Sequence, residues 1–223
     1  MVQQAFDFGE VEVQPRRHTW FLALFPDASA AERIDRFAKE LCDEEDIRKR
    51  LLPDRFHISI ALIRKGKRIT SKDRYLTETA ARAVRLPAFE VTFTRMGSFR
   101  GYPKKGRRLE HPLVLLADPG TVNDLYRVLA SALKQQRVVV DDEFRPHLTL
   151  AYHTKMLPWQ SIEPIRFRVC EFVLVNSFVG LTHYEIEGRW PLGPLLLPPP
   201  IVALDQPPVE AVSGMRSPAV LSM

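Results

Sequence analysis

Two segments far apart in the chain carry the same pattern, and this repeat constrains the fold more than any other feature. Residues 55–61 read Arg-Phe-His-Ile-Ser-Ile-Ala, and residues 145–151 read Arg-Pro-His-Leu-Thr-Leu-Ala. They align without a gap: the arginine, histidine and alanine are identical, the hydroxyl side chain is kept, and both flanking positions stay apolar. Self-similarity of this kind indicates internal duplication. We therefore expect two related halves.

The same order of elements surrounds each copy of the motif. In the first half, an apolar run at 20–25 ends at a Pro-Asp turn, and apolar residues three and four positions apart predict a helix over 28–42. In the second half, an apolar run at 113–117 ends in Asp-Pro-Gly, and a second amphipathic helix follows. The motifs then open strands at 57–63 and 147–152. We expect two strand-helix-strand halves of the βαβ type, related by a pseudo-twofold axis, in a bilobal α+β fold.

Other patterns add further elements. A polar helix is predicted over 71–84 with Ser71 as its N-cap, and the alternation that begins at Phe89 predicts a strand. Additional strands are expected around 165–175, 179–186 and 189–192.

The sequence divides into one domain and two tails. Residues 17–193 form the expected two-lobed domain, and residues 1–16 are expected to be a flexible N-terminal segment. Residues 194–223 are rich in proline and lack helical or strand periodicity, which is typical of a disordered tail without a catalytic role.

Composition narrows the class of protein. The formal net charge of +5 favours a polyanionic partner but fits a soluble basic surface equally well. Cys42 and Cys170 have no metal-type spacing, so reduced, buried thiols are expected. The N-terminus has no apolar stretch of the secretory type, and no apolar run is long enough to cross a bilayer. We expect a cytoplasmic protein with no membrane association.

The motif offers acid, base and hydrogen-bond donors on one face of a strand. Alternate strand residues share a face, so His57 lies with Ser59, and His147 lies with Thr149, while the apolar neighbours face the core. Imidazole titrates near neutrality, so one ring can be the base while the other is the acid. The two hydroxyls are suited to bind non-bridging phosphate oxygens, where charge grows in the transition state. This set of side chains fits the opening of a cyclic phosphodiester.

Other chemistry is less favoured by the sequence. Nucleophilic attack by Ser59 or Thr149 would need an elbow or an orienting Asp, and neither is indicated by the spacing. A metal site at His57 and His147 would need further ligands, and no carboxylate or Cys recurs beside both histidines. We therefore expect no metal and no cofactor. Four further histidines have no duplicated context and are expected to have core or surface roles: His18, His111, His153 and His183.

The segment 99–108 combines cations, aromatic rings and turn-forming residues. It includes Arg100 and Tyr102, which are suited to contact a nucleic-acid backbone and to stack on a base. A solvated hairpin tip explains the same composition equally well.

The paired His-x-Ser/Thr strands resemble the signature of the two-histidine phosphoesterase superfamily, and specifically its bacterial RNA 2′,3′-cyclic phosphodiesterase branch, also called 2′-5′ RNA ligase-like or LigT-like. Segments 20–26, 144–151 and 184–192 also resemble that branch, and the likeness covers about residues 17–192. The resemblance implies two antiparallel sheets around a central cleft and metal-independent hydrolysis of 2′,3′-cyclic phosphate ends to 2′-phosphomonoesters. It implies that His147 is the general base and His57 the general acid.

One position departs from the family pattern. Members often carry a cation a few residues beyond the second motif, whereas this chain has Tyr152 and His153 there. Tyr152 is suited to stack on a base, although the end of a core strand explains it as well. The expected ligand is an RNA or nucleotide 2′,3′-cyclic phosphate, bound by a monomer. The alternatives are 2′-5′ RNA ligation at the same site and a noncatalytic RNA-binding module.

Overall fold

A computed structural model describes residues 17–103, 105–106, 108–178, 180 and 183–193, and the expected tails at 1–16 and 194–223 lie outside this part of the chain. Its strands are β1 His18–Leu24, β2 Lys49–Arg50, β3 Ile58–Lys65, β4 Phe89–Ser98, β5 His111–Ala117, β6 His147–His153, β7 Gln160–Val169, β8 Glu171–Phe178 and β9 His183–Pro191. Its α-helices are α1 Ala28–Glu44, α2 Ser71–Arg82 and α3 Gly120–Gln135. A 3-10 turn, Pro53–Arg55, precedes β3.

All strand pairs are antiparallel, and the strands follow one another in the order β7-β4-β5-β6-β3-β1-β8-β9, with β2 attached to β6. The α+β class and the bilobal duplication are confirmed. One lobe contains β3, β1, β8 and β9, and the other contains β6, β5, β4 and β7. Within each half, the two strands of the strand-helix-strand unit are antiparallel neighbours.

The two lobes meet at a narrow seam. The link from β3 to β6 consists of one backbone pair, Ile58 with Leu148. Two helices on one face of the sheet strengthen the seam. Helix α1 packs against β6 and β7, which belong to one lobe, and α3 packs against β3 of the other lobe and against β4 of the first. The main core lies between these helices and the sheet, and it includes the fully buried side chains of Ile34, Leu125 and Leu129. The opposite face of the sheet is therefore left for the cleft.

Local sequence explains the helix that follows β1. The carboxylate of Asp27 accepts a hydrogen bond from the backbone N–H of Ala30 at 2.8 Å and caps α1. Apolar residues at helical spacing then face the core, including Ile34, Ala38 and Leu41.

Both motif strands carry a β-bulge at the same place. Ala23 pairs with Ser59 and Leu22 with Ala61, which leaves Ile60 as the extra residue of β3. In β6, Leu150 is the extra residue, because Val114 pairs with Thr149 and Leu113 with Ala151. Each bulge shifts the alternation by one residue. As a result, Leu62 and Tyr152, at equivalent motif positions, turn outward and are 42% and 41% exposed.

Three local predictions are wrong. Thr70 rather than Ser71 caps α2, since its hydroxyl accepts from the N–H of Asp73 at 3.0 Å. The break between strands, expected within 176–178, falls at Cys170, between β7 and β8. Residues 183–191 form one continuous strand, where two strands were expected. Cys42 is buried as expected, but Cys170, the single residue between β7 and β8, is exposed.

Candidate active site

The two motif histidines have the same backbone setting. Nδ1 of His57 lies 2.8 Å from the carbonyl oxygen of Arg55, and Nδ1 of His147 lies 2.6 Å from that of Arg145. A carbonyl oxygen can only accept, so Nδ1–H is the donor in both rings. Nε2 of each neutral ring therefore keeps its lone pair for other partners. This is the tautomer that a general base needs at Nε2.

The antiparallel pair of Ile58 with Leu148 places the four polar motif residues together. In an antiparallel register, the residue before Ile58 faces the residue after Leu148, so His57 lies opposite Thr149, and Ser59 lies opposite His147. The apolar motif residues Ile58, Ile60, Leu148 and Leu150 are buried on the other side. The structure thus brings both histidines and both hydroxyls to one face of the seam.

Aromatic side chains surround His57. Its ring centroid lies 5.0 Å from that of Phe21, 5.9 Å from Phe25 and 5.5 Å from Tyr184, which meets it edge-on. The pKa of His57 is lowered to about 4, chiefly by burial among these rings and also by the positive charges of Arg55 and His147, against the opposing hydrogen bond to the Arg55 carbonyl. Without a ligand, His57 is neutral at pH 7.

His147 has a different environment. Phe99 packs edge-on against its ring at 5.0 Å, and Trp159 lies 5.3 Å from Phe99. Trp159 lies close against the sheet because Gly97 has no side chain, and a Cβ there would approach the indole to 2.6 Å. Burial lowers the pKa of His147 as well. The two histidines are symmetric in backbone but not in packing.

Ser59 already contacts its histidine. Its Oγ lies 3.1 Å from Nε2 of His57, and since neutral Nε2 has no hydrogen, the hydroxyl is the donor. Ser59 is exposed and Thr149 is half-buried on the same face. Both hydroxyls can therefore reach an anion that lies over the seam.

Two residues of the cleft were missed as site candidates. The guanidinium of Arg55 lies over the ring of Tyr184, 3.9 Å from its centroid, and Tyr184 in turn contacts His57. The repeat itself pointed to Arg55, since the arginine is identical in both copies. No local motif singles out Tyr184, which reaches the cleft from β9 near the C-terminal end of the domain.

The candidate substrate-binding residues line a common pocket. Arg100, Tyr102 and Tyr152 surround a cavity of about 560 Å³ together with Phe99, Arg108 and Arg145. Glu110 and Glu143 also line it, so it carries both signs of charge with an excess of arginine. Phe99, which contacts His147, forms the boundary between this pocket and the seam. We call it the arginine pocket.

The remaining histidines lie in structural or surface settings. His18 is buried and bonded to the Asn176 side chain at 2.9 Å, and Nδ1 of the buried His111 accepts from the N–H of Gly101 at 2.9 Å. His153 accepts from the N–H of Lys155 at 3.2 Å, and His183 lies 3.8 Å from Glu185.

Within the described ranges, no three His, Cys, Asp or Glu side chains gather as they would around a metal ion. None of the helices in that part of the chain is long and apolar enough to span a membrane.

Comparison with known proteins identifies the family. The model of the 2′-5′ RNA ligase superfamily matches residues 8–178. Among solved structures, E. coli LigT complexed with ATP matches with a TM-score of 0.60 and 19% identity, covering 79% of this chain and 99% of that chain. The protein TT0787 of Thermus thermophilus matches with a TM-score of 0.61 and 19% identity over the same shares. No curated protein matches the chain by sequence.

Proposed function

Because the chain belongs to the 2′-5′ RNA ligase superfamily, we propose that its cleft hydrolyses RNA 2′,3′-cyclic phosphate ends to 2′-phosphomonoesters. Superfamily membership supports a phosphoesterase-type enzyme, and the site suggests the chemistry. The observation that carries the proposal is the matched pair His57 and His147, each with Nδ1 fixed by a carbonyl and Nε2 available on the same face. A pure binding surface does not require two such proton-transfer groups.

Each ring has one proton-transfer task in the proposed reaction. Nε2 of His147 accepts a proton from water as the water oxygen bonds to phosphorus. The bond from phosphorus to the 3′ oxygen breaks, and Nε2–H of His57 gives its proton to that oxygen. The phosphate remains on the 2′ oxygen, His147 ends protonated and His57 ends neutral. One proton transfer between the rings or through solvent restores the starting state.

The low pKa of His57 sets a condition on this assignment. The ligand-free ring, with a pKa of about 4, is neutral at pH 7, so the acid must gain its proton as substrate binds. A bound phosphodiester anion favours the protonated imidazole, because opposite charges within a few ångströms stabilise each other. The reverse assignment, with His57 as base and His147 as acid, is the alternative that the packing of His57 favours in the ligand-free state.

Ser59 and Thr149 are the proposed phosphate donors. The hydroxyl of Ser59 now donates to Nε2 of His57 and would rotate toward a non-bridging oxygen when that nitrogen is protonated. Thr149, opposite His57 across the seam, would supply the matching donor from the other lobe.

The arginine pocket is the proposed binding site for the RNA. Arg100 would contact a phosphate, and Tyr102 and Tyr152, which are 85% and 41% exposed, present rings on which bases can stack. The pocket adjoins His147 through Phe99, so a chain bound there would extend from the reacting phosphate.

The test is an assay of an oligonucleotide that ends in a 2′,3′-cyclic phosphate, in the presence of EDTA, with the position of the product phosphate determined. We expect a 2′-phosphate product, and His57→Ala and His147→Ala should each lower the rate by about a hundredfold to ten-thousandfold. His153→Ala, a half-buried histidine at the end of the same strand β6, is the control and should stay near the wild-type rate. Activity abolished by EDTA, or retained in both histidine variants, would contradict the proposal.

The same assay separates hydrolysis from ligation. Addition of an RNA with a 5′-hydroxyl end offers a second nucleophile to the same phosphate. A joined product in place of the 2′-phosphate would identify a ligase, and salt-dependent binding without either product would identify a binding module.

A further inference from the structure

The geometry points to Arg55 as a phosphate-binding residue of this site, held over the seam by the ring of Tyr184. The inference rests on the proposed function and adds to it a cation that the sequence analysis did not assign. It concerns the side chain of Arg55, whereas the backbone carbonyl of the same residue fixes the tautomer of His57.

Arg55 lacks the carboxylate partner that several half-buried arginines of this protein have. Arg50 pairs with Asp35, Arg64 with Asp73, and Arg74 with Glu78 and Glu187. In the described part of the chain, Arg55 has no such ion pair, and its buried Nε has no hydrogen-bond partner. A desolvated donor without a partner costs free energy. An anion in the cleft would remove that cost.

Tyr184 explains how the guanidinium is held, because its ring lies under the cation and its side chain is hydrogen-bonded to Arg55. The distance of 3.9 Å from the guanidinium carbon to the ring centroid is that of a cation–π contact. This contact positions a planar cation without neutralising it. A carboxylate in the place of Tyr184 would neutralise the positive charge of Arg55, which would then bind a phosphate more weakly.

The charge of Arg55 acts on residues of both lobes. Beside the effect of burial, its charge lowers the pKa of His57 on the same lobe. Burial raises the pKa of Tyr152, which belongs to β6 of the other lobe, and the charge of Arg55 opposes that rise. Tyr152 occupies the position where the bulge turns the end of the second motif toward the cleft. The guanidinium is therefore within electrostatic range of both sides of the seam, where the scissile phosphate would lie.

The equivalent residue of the second motif shows that this role does not follow from the repeat alone. The carbonyl of Arg145 accepts from His147 as that of Arg55 accepts from His57, but the side chain of Arg145 is exposed and lines the arginine pocket. The backbone function is duplicated, while the two guanidinium groups have different surroundings. Of the two, Arg55 is the one whose guanidinium lies over an aromatic ring that contacts a motif histidine.

The guanidinium would act on the phosphate as charge develops. Its parallel N–H groups match two non-bridging oxygens, and a preorganised cation in a partly dry site binds them more strongly in the transition state than in the ground state. We expect its loss to lower kcat more than it raises KM.

The test compares Arg55→Gln and Arg55→Lys with Arg48→Gln, a control arginine whose side chain is 87% exposed. For Arg55→Gln we expect a loss of kcat/KM of about a hundredfold, chiefly in kcat. Arg55→Lys should keep part of the activity because the charge remains, and Arg48→Gln should match the wild type. Loss of the charge should also raise the pKa of His57 and move the acidic limb of the pH profile upward, which a purely structural role would not do.

Calorimetric titration with inorganic phosphate tests the inference apart from turnover. Wild type and Arg48→Gln should bind phosphate with equal affinity, and Arg55→Gln should bind at least about tenfold more weakly, as expected for the loss of one charge-assisted contact. If Arg55→Gln does not fold, Tyr184→Leu and Tyr184→Phe replace it: the Leu variant, which loses both the ring and the hydroxyl, should weaken phosphate binding more than the Phe variant, which keeps the ring.

The outcomes separate this inference from the proposed function. Turnover that requires both histidines but is unchanged in Arg55→Gln, with unchanged phosphate affinity, overturns the role of Arg55 and leaves the hydrolase proposal standing. Absence of any turnover in the wild type, with phosphate binding that depends on Arg55, overturns the hydrolase proposal and leaves Arg55 as the anion site.

Discussion

Ile58 of β3 pairs with Leu148 of β6, and in the described residues this is the backbone pair at which the two motif strands meet. Both side chains are fully buried, and each directly follows a motif histidine in the chain. The relative position of the two imidazoles is therefore set by the packing at this pair. A change in its volume is expected to alter the site as well as the stability.

Leu148→Ala tests the coupling between packing and site geometry. Truncation of a fully buried leucine is expected to lower the free energy of unfolding by about 2–5 kcal/mol. Leu129→Ala, also 0% exposed but on α3, is the matched control and should cost a similar amount. At a temperature where both variants are folded, kcat for the cyclic phosphate should fall further in Leu148→Ala. Equal kcat values would show that the seam tolerates loosening.

The hydroxyl pair can be tested by removal and by conservative exchange. Ser59→Ala and Thr149→Ala should each lower kcat/KM by about tenfold to a hundredfold, because each removes one donor to the phosphate. Ser59→Thr and Thr149→Ser keep the hydroxyl and should retain most of the rate. Steady-state kinetics on a cyclic phosphate substrate gives both values. Loss of all turnover in an alanine variant, at the level of the histidine variants, would indicate a nucleophile instead.

The pH dependence of kcat/KM follows from the lowered pKa values of both histidines. The reaction needs one proton on the histidine pair. The pKa of His57 is about 4 and the pKa of His147 is also below its ordinary value, so the ligand-free pair loses this proton before the pH reaches neutrality. We expect kcat/KM to reach its maximum below about pH 6.5 and to fall about tenfold per pH unit above it. The optimum of kcat should lie at higher pH, because bound phosphate favours the protonated ring. A maximum of kcat/KM above about pH 7 would contradict the lowered pKa values of the two histidines.

Acid stability provides a check that does not depend on activity. The pKa of His57 falls from about 6.5 in the unfolded chain to about 4 in the folded protein, so the unfolded state binds the proton more readily. The contribution of neutral His57 to the free energy of unfolding is complete above about pH 6.5. It is lost as the pH falls toward about 4, which lowers the free energy of unfolding by up to about 3 kcal/mol. In urea titrations, His57→Gln should lose less stability over this window than the wild type. His183→Gln, with a side chain that is 61% exposed, is the surface control.

Much of the architecture could be predicted because it depends on local patterns. Alternation placed Ile58, Ile60, Leu148 and Leu150 in the core, and three- and four-residue spacing predicted α1. The division of the sheet between lobes was not predictable, since β4 follows the first half in the chain but pairs with β5, and β8 follows the second half but pairs with β1. Such pairings depend on which apolar faces meet in three dimensions.

The candidate site shows the same division. His57, His147, Ser59 and Thr149 were selected from the repeat, and Arg100, Tyr102 and Tyr152, chosen from composition and position, line one pocket. The bulges at Ile60 and Leu150 were not foreseen, because a register shift is a property of two paired strands and not of one. The bulge in β6 is what turns Tyr152 outward.

The sequence by itself determined that two imidazoles and two hydroxyls lie on equivalent strands, because a repeated motif on a period-two backbone leaves no other face for them. Only the tertiary structure decided how each half of the motif is used. Phe21 and Phe25 from the first strand and its turn, and Tyr184 from β9, converge on His57 and lower its pKa. Phe99 packs against His147, and Trp159 packs against Phe99. Burial and charge depend on neighbours distant in the chain, and for that reason identical motifs acquire different chemistry.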